Sequence, residues 1–165
     1  MGHADRVQIR RAHEDDWPSV REVRLRALRE DPAAFGSSLA REEMFTESHW
    51  RMRVRGAATW LAVDDDGVPR GLVGMIQEPG SPASDRHVVQ LWVAPEVRRR
   101  GIGWALLDAV RAAARAEGAS TVSLWVSDGN HPAGDLYVRA GFERTNERHA
   151  ATPSRVEERL VLRLA

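Results

Sequence analysis

The stretch His87-Val88-Val89-Gln90-Leu91-Trp92-Val93-Ala94-Pro95-Glu96-Val97-Arg98-Arg99-Arg100-Gly101-Ile102-Gly103-Trp104 decides how the rest of the chain is read. Its first seven residues are mostly β-branched or aromatic and predict a strand, His87–Val93. Beyond it Leu106, Leu107, Val110, Ala113 and Ala114 fall at helical spacing. A helix over Ile102–Glu117 follows, with Gly118 as its stop. Between strand and helix lies a basic glycine turn. Unpaired backbone N–H groups point out of a first helical turn and the helix dipole favours negative charge there, so this junction predicts an anion site. Gly101 and Gly103 lack a Cβ and let a diphosphate approach the main chain, while Arg98, Arg99 and Arg100 add charge-assisted donors. The dinucleotide fingerprint needs a glycine where Leu106 stands, and a P-loop needs a lysine, which this chain lacks. Read alone, the turn is also compatible with a solvated arginine run opening a helix.

Working outward, Val7–Arg11 predicts a strand. Asp16 is a plausible N-cap for a helix with Trp17, Val20, Val23, Ala27 and Leu28 as its stripe, ended by Glu30-Asp31-Pro32. Arg41–Arg55 predicts one amphipathic helix with Met44, Phe45, Trp50 and Val54 on or near one side. Trp60–Asp64 and Arg70–Ile76 flank a hairpin turn at Asp64-Asp65-Asp66-Gly67. Thr121–Val126 predicts a strand, Pro132–Arg139 a short helix, Arg155–Leu164 a last strand, and Phe142–Arg148 one more. This order implies a mixed-sheet α/β or α+β fold.

The 165 residues predict one domain, 1–165. With 24 basic residues, all arginine, against 24 acidic ones, the net charge is zero. That argues against bulk attraction to nucleic acid or an anionic membrane. The absence of lysine excludes a Schiff-base lysine, and the absence of cysteine excludes a disulfide, a thiolate zinc site and a thiol nucleophile. Met1-Gly2-His3-Ala4-Asp5-Arg6 has no apolar signal region, and no uncharged run approaches a membrane span. A cytoplasmic protein is expected. His3, His13, His49, His87, His131 and His149 show no metal-ligand spacing, so no metal is expected, and no serine-nucleophile elbow occurs.

A second block follows strand Thr121–Val126: Asn130-x-x-Ala133-x-x-Leu136-Tyr137-x-x-x-Gly141-Phe142. Together with Arg98-x-x-Gly101-x-Gly103, in this order and with one helix and one strand between, it resembles the GNAT superfamily of N-acetyltransferases. The matching portion spans about Arg86–Phe142. The resemblance implies a central twisted mixed sheet with a V-shaped splay, flanked by about four helices, and acetyl-CoA as co-substrate. It places the splay between His87–Val93 and Thr121–Val126, where an amide-rich pantetheine arm binds like an added strand. It assigns backbone contacts to Leu91, Trp92 and Val93, the diphosphate to Arg98, Arg99, Arg100, Gly101, Ile102, Gly103 and Trp104, and the pantetheine arm or its loop to Asn130. Tyr137, the only tyrosine, becomes the general acid for the departing thiolate. The activity implied is acetyl transfer to a primary amine of a small molecule or peptide by direct attack. A protein N-terminal or lysine acetyltransferase and a non-catalytic acyl-CoA-binding module stay open, and a homodimer through the last strands is compatible with the pattern.

An alkyl ammonium of pKa ~10.4 is deprotonated in about one molecule in 2,500 at pH 7, so a proton must be removed somewhere. Ribosomal-protein acetyltransferases of the family carry a glutamate base where this chain has Trp125. Glu78, His87 and Asp128 are the candidate bases. Glu42, Glu43 and Glu47 are candidates for attracting a cationic acceptor such as a polyamine, aminoglycoside or amino-acid amine, or else a solvated helix face.

Overall fold

A computed structural model describes residues 6–164. Part of the N-terminal stretch that argues against a signal peptide, and His3 with it, lies outside the described residues. The elements run β1 (Val7–Arg11), α1 (Trp17–Glu30), α2 (Leu39–Glu42), α3 (Glu47–Gly56), β2 (Ala58–Asp64), β3 (Pro69–Ile76), β4 (Asp85–Val93), α4 (Ile102–Ala116), β5 (Thr121–Ser127), α5 (His131–Arg139), β6 (Glu143–Thr152) and β7 (Arg155–Arg163). The strands make one seven-stranded sheet in the order β1-β2-β3-β4-β5-β7-β6. Every neighbouring pair is antiparallel except β4 with β5. No helix is long and apolar enough to cross a membrane.

The α4 stripe buries Leu106, Leu107, Val110 and Ala114 in the main core with Val20, Val23 and Ala27 of α1 and Leu72, Val73 and Leu124 of the sheet. Each such aliphatic side chain removed from water contributes roughly 1.5–3 kcal/mol. This packing fixes the β4–turn–α4 unit against the sheet.

The parallel β4–β5 ladder is short. It pairs Asp85 with Thr121, Arg86 with Val122 and His87 with Ser123, and then stops. On its other edge β4 keeps pairing with β3 up to Val93, and β5 pairs with β7 out to Ser127. The two strands therefore diverge after His87, and residues 88–93 of β4 turn an unpaired edge toward the gap. Along this edge Gln90 adopts φ +49° and the β3–β4 register shifts between Leu72 and Gly74, the signature of a bulge.

One predicted helix is two. Instead of a continuous Arg41–Arg55 helix, α2 ends at Glu42 and α3 starts at Glu47. Ser38 and Thr46 are the reason, since each hydroxyl caps a helix start, accepting from the backbone N–H of Arg41 and of His49 at 3.2 Å. The break turns Met44 out to 80% exposure, so it is not part of an apolar face, whereas Trp50 and Val54 are buried. The edge strand β6 is exposed along its whole length and lacks any apolar alternation, which is why its predicted extent falls short.

Candidate functional site

The divergence of β4 and β5 opens a cavity of about 600 Å³, with Leu91, Trp125, Asn130 and Tyr137 among the residues on its walls. Its vertex is pinned by Asp85. That buried carboxylate accepts from Thr121 Oγ1 at 2.7 Å and from Ser123 Oγ at 2.6 Å, and Arg159 Nη2 lies 3.6 Å away. Threonine and serine alternating along an otherwise apolar β5 are thus the fasteners that hold two strands together where their ladder ends.

His87 continues this chain. Its Nδ1 lies 2.9 Å from Ser123 Oγ and its Nε2 lies 3.2 Å from Glu78 Oε2. Burial pushes its pKa below the ordinary histidine value, against the Glu78 and Asp85 carboxylates that push it up; Arg159 adds to the lowering and Glu157 opposes it. The imidazole lines the cavity and is only 3% exposed. Asp128 is not on this cavity: it accepts from Arg148 Nη1 at 3.0 Å and lines an adjoining outer cavity.

Tyr137 on α5 is buried, with its ring edge-on to Phe142 at 5.9 Å. Burial pushes its phenol up to about 12. No protein group among the described residues hydrogen-bonds its hydroxyl. Asn130 is the N-cap of α5, its Oδ1 accepting from the Ala133 N–H at 3.3 Å, and it lines the same cavity.

The basic turn reaches α4 through Gly101, the N-cap residue at φ +77°. The helical ladder begins with Ala105 N–H donating to Gly101 O, which leaves the N–H groups of Ile102, Gly103 and Trp104 without intrahelical acceptors. A Cβ on Gly103 would meet Leu136 Cδ2 at 3.0 Å, so this glycine also brings α4 close to α5. Arg98 is tied into the protein. Its Nε donates to Val93 O at 2.8 Å and its Nη2 to Asp31 Oδ2 at 3.0 Å, tying the turn back to the end of β4. Asp31 also accepts from Trp92 Nε1 at 2.7 Å. Arg99 and Arg100 are exposed and Ile102 is buried.

The acidic candidates on the α2–α3 segment behave differently from the expectation of a carboxylate cluster for a cationic acceptor. Glu42 is 2% exposed and paired to Arg24 through two bonds of 2.9 Å and to Arg53 through one of 2.9 Å. Burial raises its pKa, but the bonds from Arg24, Arg53 and Ser37 outweigh this and hold the carboxyl at about 2. Glu43 is exposed, and Glu47 accepts from Arg51 on the surface. It is Arg24 and Arg53 that line the cavity, together with Arg155 and Glu157 of β7. Spacing within one segment gave no sign of this, because the partners lie on three separate elements.

Among the described residues no group of three or more His, Asp or Glu side chains could hold a metal ion.

A model of the acetyltransferase (GNAT) family matches residues 12–142. No curated protein matches. The fold superposes on an acetyltransferase of the GNAT family from Streptococcus pneumoniae with a TM-score of 0.80 and 17% identity, over 97% of this chain and 100% of that one. It superposes on a Salmonella typhimurium structure, described with its cofactor acetyl-CoA, with a TM-score of 0.79 and 16% identity, over 97% and 95%. A nourseothricin acetyltransferase is 29% identical over 66% of this chain and 65% of its own, with a TM-score of 0.59.

Proposed function

Because the chain belongs to the GNAT acetyltransferase family, we propose that it moves the acetyl group of acetyl-CoA to the primary amine of a small molecule by direct attack. The carrying observation is the gap after His87, where the unpaired edge of β4 faces a cavity with Tyr137 on its wall. Residues Leu91, Trp92 and Val93 offer backbone groups to an added strand of amides. The free N–H groups at the start of α4, with the Arg98–Arg100 turn, suit a diphosphate. Asn130 holds the start of α5 beside the arm, and Tyr137 stands as hydrogen-bond donor to the leaving sulfur. Bound acetyl-CoA supplies the thioester carbon that the amine attacks. A small acceptor is favoured because residues 34–36 and α3 wall the cavity opposite the sheet, and the likeness to a nourseothricin acetyltransferase points the same way.

His87 takes the amine's proton in this reading. Two hydrogen bonds link His87, Ser123 and Asp85, and Glu78 Oε2 faces His87 Nε2 at 3.2 Å. With the Ser123 hydroxyl donating to Asp85, a neutral imidazole donates from Nδ1 to Ser123 Oγ and leaves Nε2 unprotonated in front of Glu78. That Nε2 can take a proton from the acceptor ammonium through the cavity, and Trp125 leaves no rival carboxylate at its own position. Above the lowered pKa of His87 the chain is ready to accept, so kcat/KM for the amine is expected to level off between pH 7 and 9. In His87→Gln the enzyme must wait for free amine, and kcat/KM should climb about tenfold per pH unit toward the amine pKa of ~10.4. Parallel profiles for the two proteins would remove His87 from this role.

The reading as a whole is tested by free-thiol release from acetyl-CoA against a broad amine panel, with acetyl-CoA binding measured in parallel. Thiol release stimulated by at least one small amine is expected. Tight acetyl-CoA binding with no amine-dependent release would favour the non-catalytic acyl-CoA module, and release with peptide amines alone would favour a protein substrate.

A further inference from the structure

Asp31 stands where α1 ends, and its carboxylate reaches the basic turn 67 residues further along the chain. Its backbone N–H donates to Ala27 O at 2.9 Å, closing the helix, and Pro32 stiffens the chain after it. Its Oδ2 accepts from two donors, Trp92 Nε1 at 2.7 Å and Arg98 Nη2 at 3.0 Å. Trp92 is buried on β4, so helix and sheet both fix this carboxylate before it meets the arginine.

The guanidinium of Arg98 is thereby divided. Nε donates to Val93 O at 2.8 Å and Nη2 to Asp31, while Nη1 meets no protein group among the described residues. A planar fork held at two nitrogens has its third set in direction. The next residue, Arg99, has φ +65°, a left-handed backbone that side chains with a Cβ rarely adopt. Such a turn persists where its surroundings hold it. The Asp31–Arg98 pair itself is open to water, with side chains 38% and 47% exposed, and a pair of that kind adds little to stability. Nor does it strengthen attraction to an anion, since the carboxylate offsets the arginine's charge. What it supplies is direction.

From this arrangement we infer that Asp31 is a positioning residue for the diphosphate of acetyl-CoA. It holds Arg98 with Nη1 left for a phosphate oxygen, so the arginine's rotamer freedom is lost on folding rather than on binding. The inference rests on the acetyl-transfer reading above, and it adds a residue outside both sequence blocks to the cofactor site.

The test is calorimetry of CoA, and of pantetheine in competition with it, on wild type, Asp31→Ala, Arg98→Ala and the double variant. Pantetheine lacks every phosphate. Asp31→Ala is expected to weaken CoA about tenfold and pantetheine by less than about twofold, because only the phosphate end uses the held arginine. In the Arg98→Ala background the same substitution should cost nothing further, since it acts through that side chain alone. Asp31→Asn keeps an acceptor oxygen for Trp92 and Arg98 and so guards against a loss of fold; its smaller loss should vanish in the Arg98→Ala background too. Matching losses for CoA and pantetheine, losses that add in the double variants, or CoA bound as tightly by Asp31→Ala as by wild type would each overturn the inference and leave acetyl transfer standing. A wild-type protein that binds no CoA would overturn both.

Discussion

Replacing Tyr137 with phenylalanine is expected to lower kcat by roughly 10²–10⁴-fold, the usual contribution of a positioned general acid, with acetyl-CoA affinity nearly unchanged. The phenol has been pushed up to about 12 by burial. It therefore keeps its proton throughout the physiological range and adds no limb to the rate profile there. A free thiol titrates near ~8.5, so full transfer from such a phenol to a thiolate in water would run uphill. In a dry cavity desolvation raises both acids together, because both ionise to anions. If Tyr137 donates to the departing sulfur, that hydrogen bond is worth more in such a cavity than in water. Phenylalanine preserves the edge-on packing against Phe142, so a matched thermal midpoint separates lost chemistry from lost folding. A turnover equal to wild type on the true acceptor would remove Tyr137 from catalysis.

Much of this site was legible before any coordinates, and the reason is locality. The glycine turn, the α4 stripe and the Asn130–Tyr137 spacing all lie within single elements or across one junction, where periodicity and backbone rules operate. The splay required the resemblance, since nothing in His87–Val93 or Thr121–Val126 alone says that their ladder ends after three pairs. The chain from Glu78 to Asp85 joins residues far apart in sequence, although Asp85-x-His87 opposite Thr121-x-Ser123 is the polar alternation that two paired strands need to meet. The acidic run at Glu42 misled for a different reason. Charge type can be read along a helix, but whether a carboxylate faces substrate or a buried arginine depends on α1, a separate element.

Glu42 also carries the largest stability effect. Glu42→Ala should destabilise the fold by about 3–5 kcal/mol, the range for removing one partner of a buried ion pair, and lower Tm by about 10 °C for a domain of this size. Arg24, 7% exposed and set over the Phe35 ring at 4.7 Å, would be left as an unpaired charge beside the Leu25, Leu28 and Trp50 cluster. The pH dependence has a definite sign. With its folded pKa at about 2 against 4.5 for the free group, the carboxylate's contribution is complete above 4.5 and is lost as pH falls toward 2. Glu42→Gln lacks this contribution at every pH. The gap between wild type and Glu42→Gln in urea unfolding should therefore be widest near neutrality and narrow below pH 4.5; the other ion-paired carboxylates are common to both proteins and cancel. A gap that stays constant to pH 3 would mean that shape, not charge, holds α2 to α1. Arg24→Met with Glu42→Leu then supplies the converse: removing both charges together should recover most of the loss, because an apolar pair of similar volume avoids the desolvation that the ion pair must offset.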